Sequence, residues 1–269
     1  MRLLHISDIH YRIQYKACQD GYGSIFRNMT SPLVFLNRCC EHLKAAGTDI
    51  DGVLISGDLV EDGGEQDYRA LKEKLAEIFP NVPIVVTLGN HDVKHAFYRG
   101  WLQRDDGEEA YHHIEKIGDV NIIAMDNSEF GCPDGRIDEK SCTWLEQALE
   151  ETAGETTLLM MHHHLKSADV VPPCPYAPAF EDIIKDSRLT GILCGHTHHY
   201  YHGTFAGKPY YVAGSLSFIG LSCLPASRAV HFEERFGYND YVIENGRIKK
   251  EEIVAFSTGN QLGDIVFSK

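Results

Sequence analysis

The sequence predicts an α/β layered fold, and three observations predict it. Short, nearly continuous apolar runs recur along the 269 residues, each ending in a polar cluster. Amphipathic stretches of helical period lie between these runs. The composition, 43% apolar and 24% charged, is that of an ordinary folded chain and disfavours disordered, collagen-like and coiled-coil classes.

The elements follow in order. Residues 2–7 form the first apolar run and 52–56 the second; runs this dense suit strands buried on both faces. Between them a helix starts at Ser31-Pro32, an N-cap and N1 pair, carries Leu33, Leu36, Cys40 and Leu43 on one face, and stops at Gly47. A second helix spans about 65–79, with Tyr68, Leu71, Leu75 and Ile78 on one face and Pro80 closing it. Strands are predicted at 83–88 and 120–125. A third helix begins near Asp138 or Ser141 and carries Trp144, Leu145, Ala148 and Leu149. Further strands are predicted at 157–161, 190–194 and 209–213.

From about residue 209 onward the chain is β-rich. Residues 238–244 and 247–254 read as a hairpin on the Asn245-Gly246 turn. Two stretches look irregular, 11–30 and 165–178, and loops of that length inside a compact domain usually carry function or motion. With no fixed-period repeat, low-complexity tract or linker, residues 1–269 read as a single domain.

Charge narrows the partners. The chain has 25 basic and 39 acidic residues, a net charge of −14, and such a field repels phosphate backbones unless a basic patch or bound metal reverses it locally. No nucleic-acid partner is therefore expected. No apolar run reaches the roughly 18 residues that span a bilayer, and the N-terminus has polar residues where a signal peptide needs its apolar stretch. No membrane partner and a cytoplasmic location are the corresponding expectations. The eight cysteines show no CxxC pair and read as reduced thiols.

The 15 histidines outnumber methionine and proline, and several stand directly after apolar runs. Five runs end in candidate ligands: Asp8-Ile-His10, Gly57-Asp58, Gly89-Asn90-His91-Asp92, His162-His163-His164 and Gly195-His196-Thr197-His198. Each alone is weak; Gly-His-x-His is expected by chance about 0.07 times in a chain of this composition. Their joint occurrence at strand ends makes the signal, because parallel strands ending at one edge gather residues distant in sequence. Carboxylate, imidazole and amide ligands without thiolate suit Mn²⁺, Fe²⁺ or Zn²⁺. Seven such ligands exceed what one ion takes, and a carboxylate shared between two ions makes a two-metal site of the kind that drives phosphoryl displacement.

These motifs, in this order over about residues 1–213, resemble the signature of the calcineurin-like metallophosphoesterases. Within that family they are most similar to bacterial class III cyclic nucleotide phosphodiesterases and glycerophosphodiesterases. The resemblance implies a four-layer αββα sandwich of two mixed β-sheets flanked by helices. It implies two divalent metal ions, Mn, Fe or Zn, the first held by Asp8, His10 and His198 and the second by Asn90, His163 and His196, with Asp58 bridging. His91 would be the catalytic histidine that contacts phosphate and acts as general acid, and Asp92 would orient it. The family commonly has proline two residues after its fourth-motif ligand; Leu165 stands there, which leaves His162 open as an alternative to His163.

The reading that results is a phosphoesterase hydrolysing a small phosphodiester through a metal-bridging hydroxide, with a 3',5'-cyclic nucleotide as one candidate substrate. A phosphomonoesterase acting on a nucleotide, sugar phosphate or phosphoprotein is the alternative, and a non-catalytic metal-binding interaction module the third reading. A homodimer through the β-rich C-terminal portion is compatible with the resemblance. His5 reads as core or as support behind the nearby Asp8, His112-His113 as solvated surface, the tyrosines at 200–201 and 210–211 as strand aromatics, one of which could stack on a nucleobase if it lies near the metals, and 104–109 as a solvated loop.

Overall fold

A computed structural model describes residues 1–16, 18–105, 107–166, 171–222 and 229–266. The first sheet contains three parallel strands, β1 (Arg2–Ile6), β2 (Gly52–Ser56) and β3 (Ile84–Thr87). Helix α1 (Pro32–Ala45) links β1 to β2, and α2 (Glu65–Ile78) links β2 to β3; α3 (Lys94–Gly100) follows β3. The second sheet runs in the spatial order β4 (His113–Ile117), β5 (Val120–Ala124), β6 (Thr156–Met160), β7 (Gly191–Cys194), β9 (Lys208–Val212), β8 (Tyr201–Phe205). Its four central strands are parallel and its two edge strands antiparallel. Helices α4 (Glu139–Glu151) and α5 (Ala179–Asp186) belong to this half.

The chain then returns to the first sheet. β10 (Ile219–Ser222) and the long hairpin of β11 (Ala229–Glu244) and β12 (Arg247–Val266) complete it, with β11 antiparallel to β1. Both sheets are therefore mixed, as expected.

Alternation along each strand builds the layers. On β2, Val53 and Ile55 join α1 and α2 residues such as Phe35, Leu36, Tyr68 and Leu71 in one core cluster, while Leu54 turns the other way. Leu54 meets Leu3, Val85, Ile122, Leu158, Met160 and Leu193 between the sheets. On the far side Ile123, Leu159 and Ile192 pack with Leu145 and Ala148 of α4 and Phe180 and Ile184 of α5. The order is helix, sheet, sheet, helix. Asp138 caps α4 by accepting from the Ser141 N–H at 2.9 Å, which settles the start that the sequence left between these two residues.

The departures have local causes. Helices α3 and α5, of seven and eight residues, are too short to display a period. Strands β4, β8 and β10 lack continuous apolar runs because they are edge or marginal strands with exposed positions. The hairpin on Asn245-Gly246 extends to 16 and 20 residues. His112 and His113 are half-buried, against the expectation of solvated surface. The His112 ring stacks on Trp144 at 4.7 Å and its Nδ1 accepts from the Asp126 N–H, while His113 sits in β4 against Tyr111 at 4.3 Å. His5 is fully buried, as expected.

The described part of 11–30 contains a 3-10 helix at Tyr22–Arg27. Ala17 and residues 167–170 of the second irregular stretch lie outside the described residues, as do Asp106 of the acidic loop and Cys223. Arg104, Asp105, Glu108 and Glu109 of that loop are exposed, and the seven described cysteines are free thiols. Among the described residues no helix is long and apolar enough to cross a membrane.

Candidate metal centre

The five motifs meet where strands of both sheets end at their C-terminal side. β1 delivers Asp8 and His10, β2 Asp58, β3 Asn90 and His91, β6 His162 and His163, and β7 His196 and His198. Five of these residues, Asp8, His10, Asp58, His196 and His198, have left-handed backbone, with φ between 47° and 75°. Such conformations cost about 1–3 kcal/mol each and collect at functional sites, where the surrounding structure imposes them. Here they swing side chains off the strand ends toward a common point.

Packing at this point tolerates no extra atom. A Cβ on Gly89 would lie 2.1 Å from Asp58 Oδ1, so glycine before Asn90 is required by the approach of two loops, each carrying a candidate ligand.

Asp8, His10 and His198 form the first cluster. His10 Nδ1 donates to Glu61 Oε2 at 2.6 Å and His198 Nδ1 donates to the Phe218 carbonyl at 2.7 Å. With the ring proton of each on Nδ1, as those bonds favour, both Nε2 atoms present lone pairs. The two lone pairs nevertheless face each other across 3.1 Å, with Asp8 Oδ1 3.3 Å from His198 Nε2 and 3.9 Å from His10 Nε2. Three electron-rich atoms pointed at one another repel; a cation among them is what makes the arrangement favourable.

A second cluster contains His162, His163 and His196, and a third group joins His162 to Asp8 and Asp58. His162 Nδ1 donates to the Ser56 carbonyl at 2.7 Å, and its Nε2 faces Asp58 Oδ2 at 3.3 Å. The His163 ring lies against His196, centroids 4.5 Å apart, and none of its nitrogens comes within ion-pair distance of Asp8 or Asp58. Burial pushes the His196 pKa down to about 3. Asp8 Oδ1, Asn90 Oδ1, His162 Nε2 and His163 Nε2 are all buried without a hydrogen-bond partner. Buried polar atoms are rarely left so, and orphaned carboxylate, amide and imidazole acceptors on these loops fit one or two divalent cations.

His91 lies beside the clusters. Its backbone N–H donates to Asp58 Oδ1 at 2.9 Å, and its Nδ1 contacts Asp62 Oδ1 at 3.1 Å and Glu61 Oε1 at 3.4 Å. Against its burial, Asp58, Asp62 and Glu61 push the imidazole up to about 12, which favours the protonated ring. Tyr22 of the 3-10 helix stacks on one face at 5.7 Å, and His10 meets it edge-on at 5.1 Å.

Asp92 does not orient His91, contrary to expectation. Its carboxylate accepts the N–H groups of Gly89, Leu59 and Val60 and the Tyr68 hydroxyl, tying the loop after β3 to the loop after β2. Glu61 and Asp62 hold His91 instead. Nothing in their spacing from Asp58 marked them, and Tyr22 gave no signal beyond its place in an irregular stretch. Ser215 and Ser217, whose hydroxyls both donate to the Asp8 carbonyl at 3.0 and 2.8 Å, were equally hidden.

Comparison with known proteins bears on this geometry. The chain is 25% identical over 219 residues to a "Probable cyclic nucleotide phosphodiesterase" of Rhodococcus erythropolis, covering 79% of this chain and 70% of that protein. It is 27% identical to the 3',5'-cyclic adenosine monophosphate phosphodiesterase CpdA of Escherichia coli, over 74% and 70% of the two chains. It is 28% identical to the glycerophosphodiester phosphodiesterase GpdQ of Enterobacter lignolyticus, over 74% and 71%. In structure it resembles the purple acid phosphatase PPD1 of yellow lupin, with a TM-score of 0.59 at 14% identity over 95% of this chain and 53% of that one. The profile of the Calcineurin-like phosphoesterase family matches residues 1–200, and the chain therefore belongs to that family of hydrolases.

Proposed function

We propose that the protein hydrolyses a small phosphodiester at a dinuclear metal centre. Asp8, His10 and His198 hold the first ion; Asn90, His196 and an imidazole of the histidine triplet hold the second; Asp58 lies between. His162 is better placed than His163 for that imidazole, because its Nε2 faces Asp58 at 3.3 Å. Two such ions, if bound, would neutralise phosphoryl oxygens and supply a hydroxide nucleophile near neutral pH. They also offset the acidic field of the chain.

His91 is the proton donor. As hydroxide, its proton already lost to solvent, adds to phosphorus and the P–O bond to the leaving group breaks, the imidazolium gives its proton to the departing oxygen. Asp62 and Glu61 hold Nδ1 and Tyr22 covers one ring face, so Nε2 is left to reach the substrate. The diester preference, with a cyclic nucleotide as candidate, is supported by the relatives' names; the reduced thiols suit a cytoplasmic location.

The observation that carries the reading is the pair of Nε2 lone pairs facing each other and Asp8. It is tested on Mn²⁺-reconstituted protein with bis(p-nitrophenyl) phosphate and p-nitrophenyl phosphate, using Asp58→Asn and His91→Ala. Diester turnover that exceeds monoester turnover and falls at least a hundredfold in both variants is expected. Monoester preference would point to a phosphomonoesterase, and full activity in Asp58→Asn would refute the shared-carboxylate centre.

A further inference from the structure

We propose that Asn127 is a positioning residue for the second metal ion, its side-chain amide fixing the turn that presents His162 and His163. The inference rests on the dinuclear reading above. Asn127 follows β5 and is 1% exposed. Its Oδ1 accepts the N–H groups of His162 and His163 at 3.2 and 3.1 Å, and its Nδ2 donates to the His163 carbonyl at 3.0 Å.

The need for this amide follows from where the sheet stops. β5 and β6 pair in parallel as far as Ala124 and Met160, with the Met125 N–H reaching the Met160 carbonyl at 2.9 Å. Beyond that the two strands diverge, and His162 and His163 need new partners for their backbone groups in a fully buried turn. An asparagine side chain carries one carbonyl and one N–H donor face, the same pair that a strand offers. Asn127 thus extends the ladder by one side-chain peptide group, and the histidines leave the sheet in a fixed orientation. A carboxylate supplies only the acceptor half; an aliphatic side chain supplies neither.

The segment after Asn127 reaches other groups around the second ion. The Gly131 N–H donates to the Asn90 carbonyl at 3.3 Å, and the Arg136 N–H to the Asn127 carbonyl at 2.9 Å. Gly135 has φ +61°, and a Cβ there would lie 2.4 Å from His163 Nδ1 and 2.5 Å from the Asn127 oxygen. One strap, residues 127–136, therefore rests on both Asn90 and the histidine turn. None of its described hydrogen bonds goes to Asp8, His10 or His198, which hold the first ion.

That asymmetry makes the test. Wild type, Asn127→Leu and Asn127→Asp are reconstituted with Mn²⁺, titrated by equilibrium dialysis with metal analysis, and examined by electron paramagnetic resonance for coupled Mn²⁺ pairs. Wild type is expected to bind two ions. Asn127→Leu is expected to keep the first with unchanged affinity, to bind the second at least tenfold more weakly, and to lose the coupled signal. Asn127→Asp, which retains the acceptor for both N–H groups but loses the donor to the His163 carbonyl, is expected to bind the second ion more weakly than wild type and more tightly than Asn127→Leu. If Asn127→Leu does not fold, Asn127→Ser, too short to bridge both N–H groups, is expected to show the same selective loss. Two ions bound as in wild type by the leucine or serine variant, equal weakening of both ions, or an aspartate variant as impaired as leucine would overturn the proposal. A wild type that binds fewer than two ions would instead refute the dinuclear reading itself.

Discussion

Replacing Asp92 should be among the most damaging single changes outside the metal-facing side chains, and its cost can be worked from its hydrogen bonds, although burial and the Asp58 charge push its pKa up to about 7. The carboxylate is fully buried. Oδ2 accepts the N–H groups of Gly89 at 2.8 Å and Leu59 at 3.1 Å; Oδ1 accepts the Val60 N–H at 3.1 Å and the Tyr68 hydroxyl at 2.9 Å. Each buried donor left unpaired costs about 1–3 kcal/mol. Partial relaxation and water entry keep the total for Asp92→Ala below the simple sum, at about 3–5 kcal/mol. Asp92→Asn is informative because each oxygen has two donors. Whichever way the amide turns, its NH₂ faces two N–H or O–H groups, so the near-isosteric change should still cost about 2–4 kcal/mol. Tyr68→Phe removes one donor to Asp92, along with the acceptor for the Val93 N–H at 2.9 Å, and should cost about 1–2 kcal/mol. Urea unfolding of chelator-treated protein, followed by circular dichroism near neutral pH, measures all three without contributions from metal binding. An Asp92→Asn variant within about 1 kcal/mol of wild type would refute the reasoning, since it would show that the four donors are satisfied some other way.

Three further outcomes are expected. Glu234 on β11 is buried and accepts from the Thr30 N–H, Thr258 Oγ1 and Asn260 Nδ2 at 2.6, 2.6 and 2.9 Å; against its burial these bonds hold its pKa below the ordinary carboxylate value. A depressed folded pKa gives stability that is present above the unfolded value and lost as pH falls through the folded one. Glu234→Gln should therefore be less stable at neutral pH, with the difference from wild type shrinking on acidification, as thermal melts across acidic pH will show; a constant difference would refute this. Glu61→Gln should weaken retention of the first ion about 10–100-fold by disturbing the His10 tautomer, measured by metal analysis after dialysis, and an unchanged affinity would dismiss that role. Tyr22→Ala should lower kcat about 2–10-fold by freeing the stacked face of His91, the equivalent of an aromatic pair, while Tyr22→Phe keeps the rate; equal loss in both variants would assign the effect to the hydroxyl.

Much of the molecule was legible in the chain because buried parallel strands and amphipathic helices advertise themselves. Gly52–Ser56 has no polar residue before its last position, so burial on both faces could be read directly. Ser31-Pro32 announced α1 because a proline at N1 sacrifices no helix bond. Strand β8, with exposed residues at its centre, and the seven-residue α3 carry no such signature; pairing and packing define them. The ligand motifs were visible for a related reason: each sits where an apolar run breaks, and a polar residue there has no packing role to explain it.

Asp92 shows where local reading fails. It adjoins His91 in sequence, yet its carboxylate turns back to three backbone N–H groups, while Glu61 and Asp62 take its expected place at His91. His162 and His163 show the same limit, since adjacent residues leaving a strand point differently, and only the contacts of the turn reveal that His162 faces Asp58. Residue type and spacing were enough to read the layered class, most strands, three helices and a list of candidate ligands, because burial and ligand chemistry are properties of both; Glu61, grouped with His10 and His91 in the structure, was not on that list. The tertiary structure alone decided that β11 pairs with β1, that Glu61, Tyr22 and Asn127 stand around the centre, and which atom of each imidazole is free. Those facts depend on hydrogen bonds and ring contacts between residues tens to hundreds of positions apart, and no local pattern in the chain encodes them.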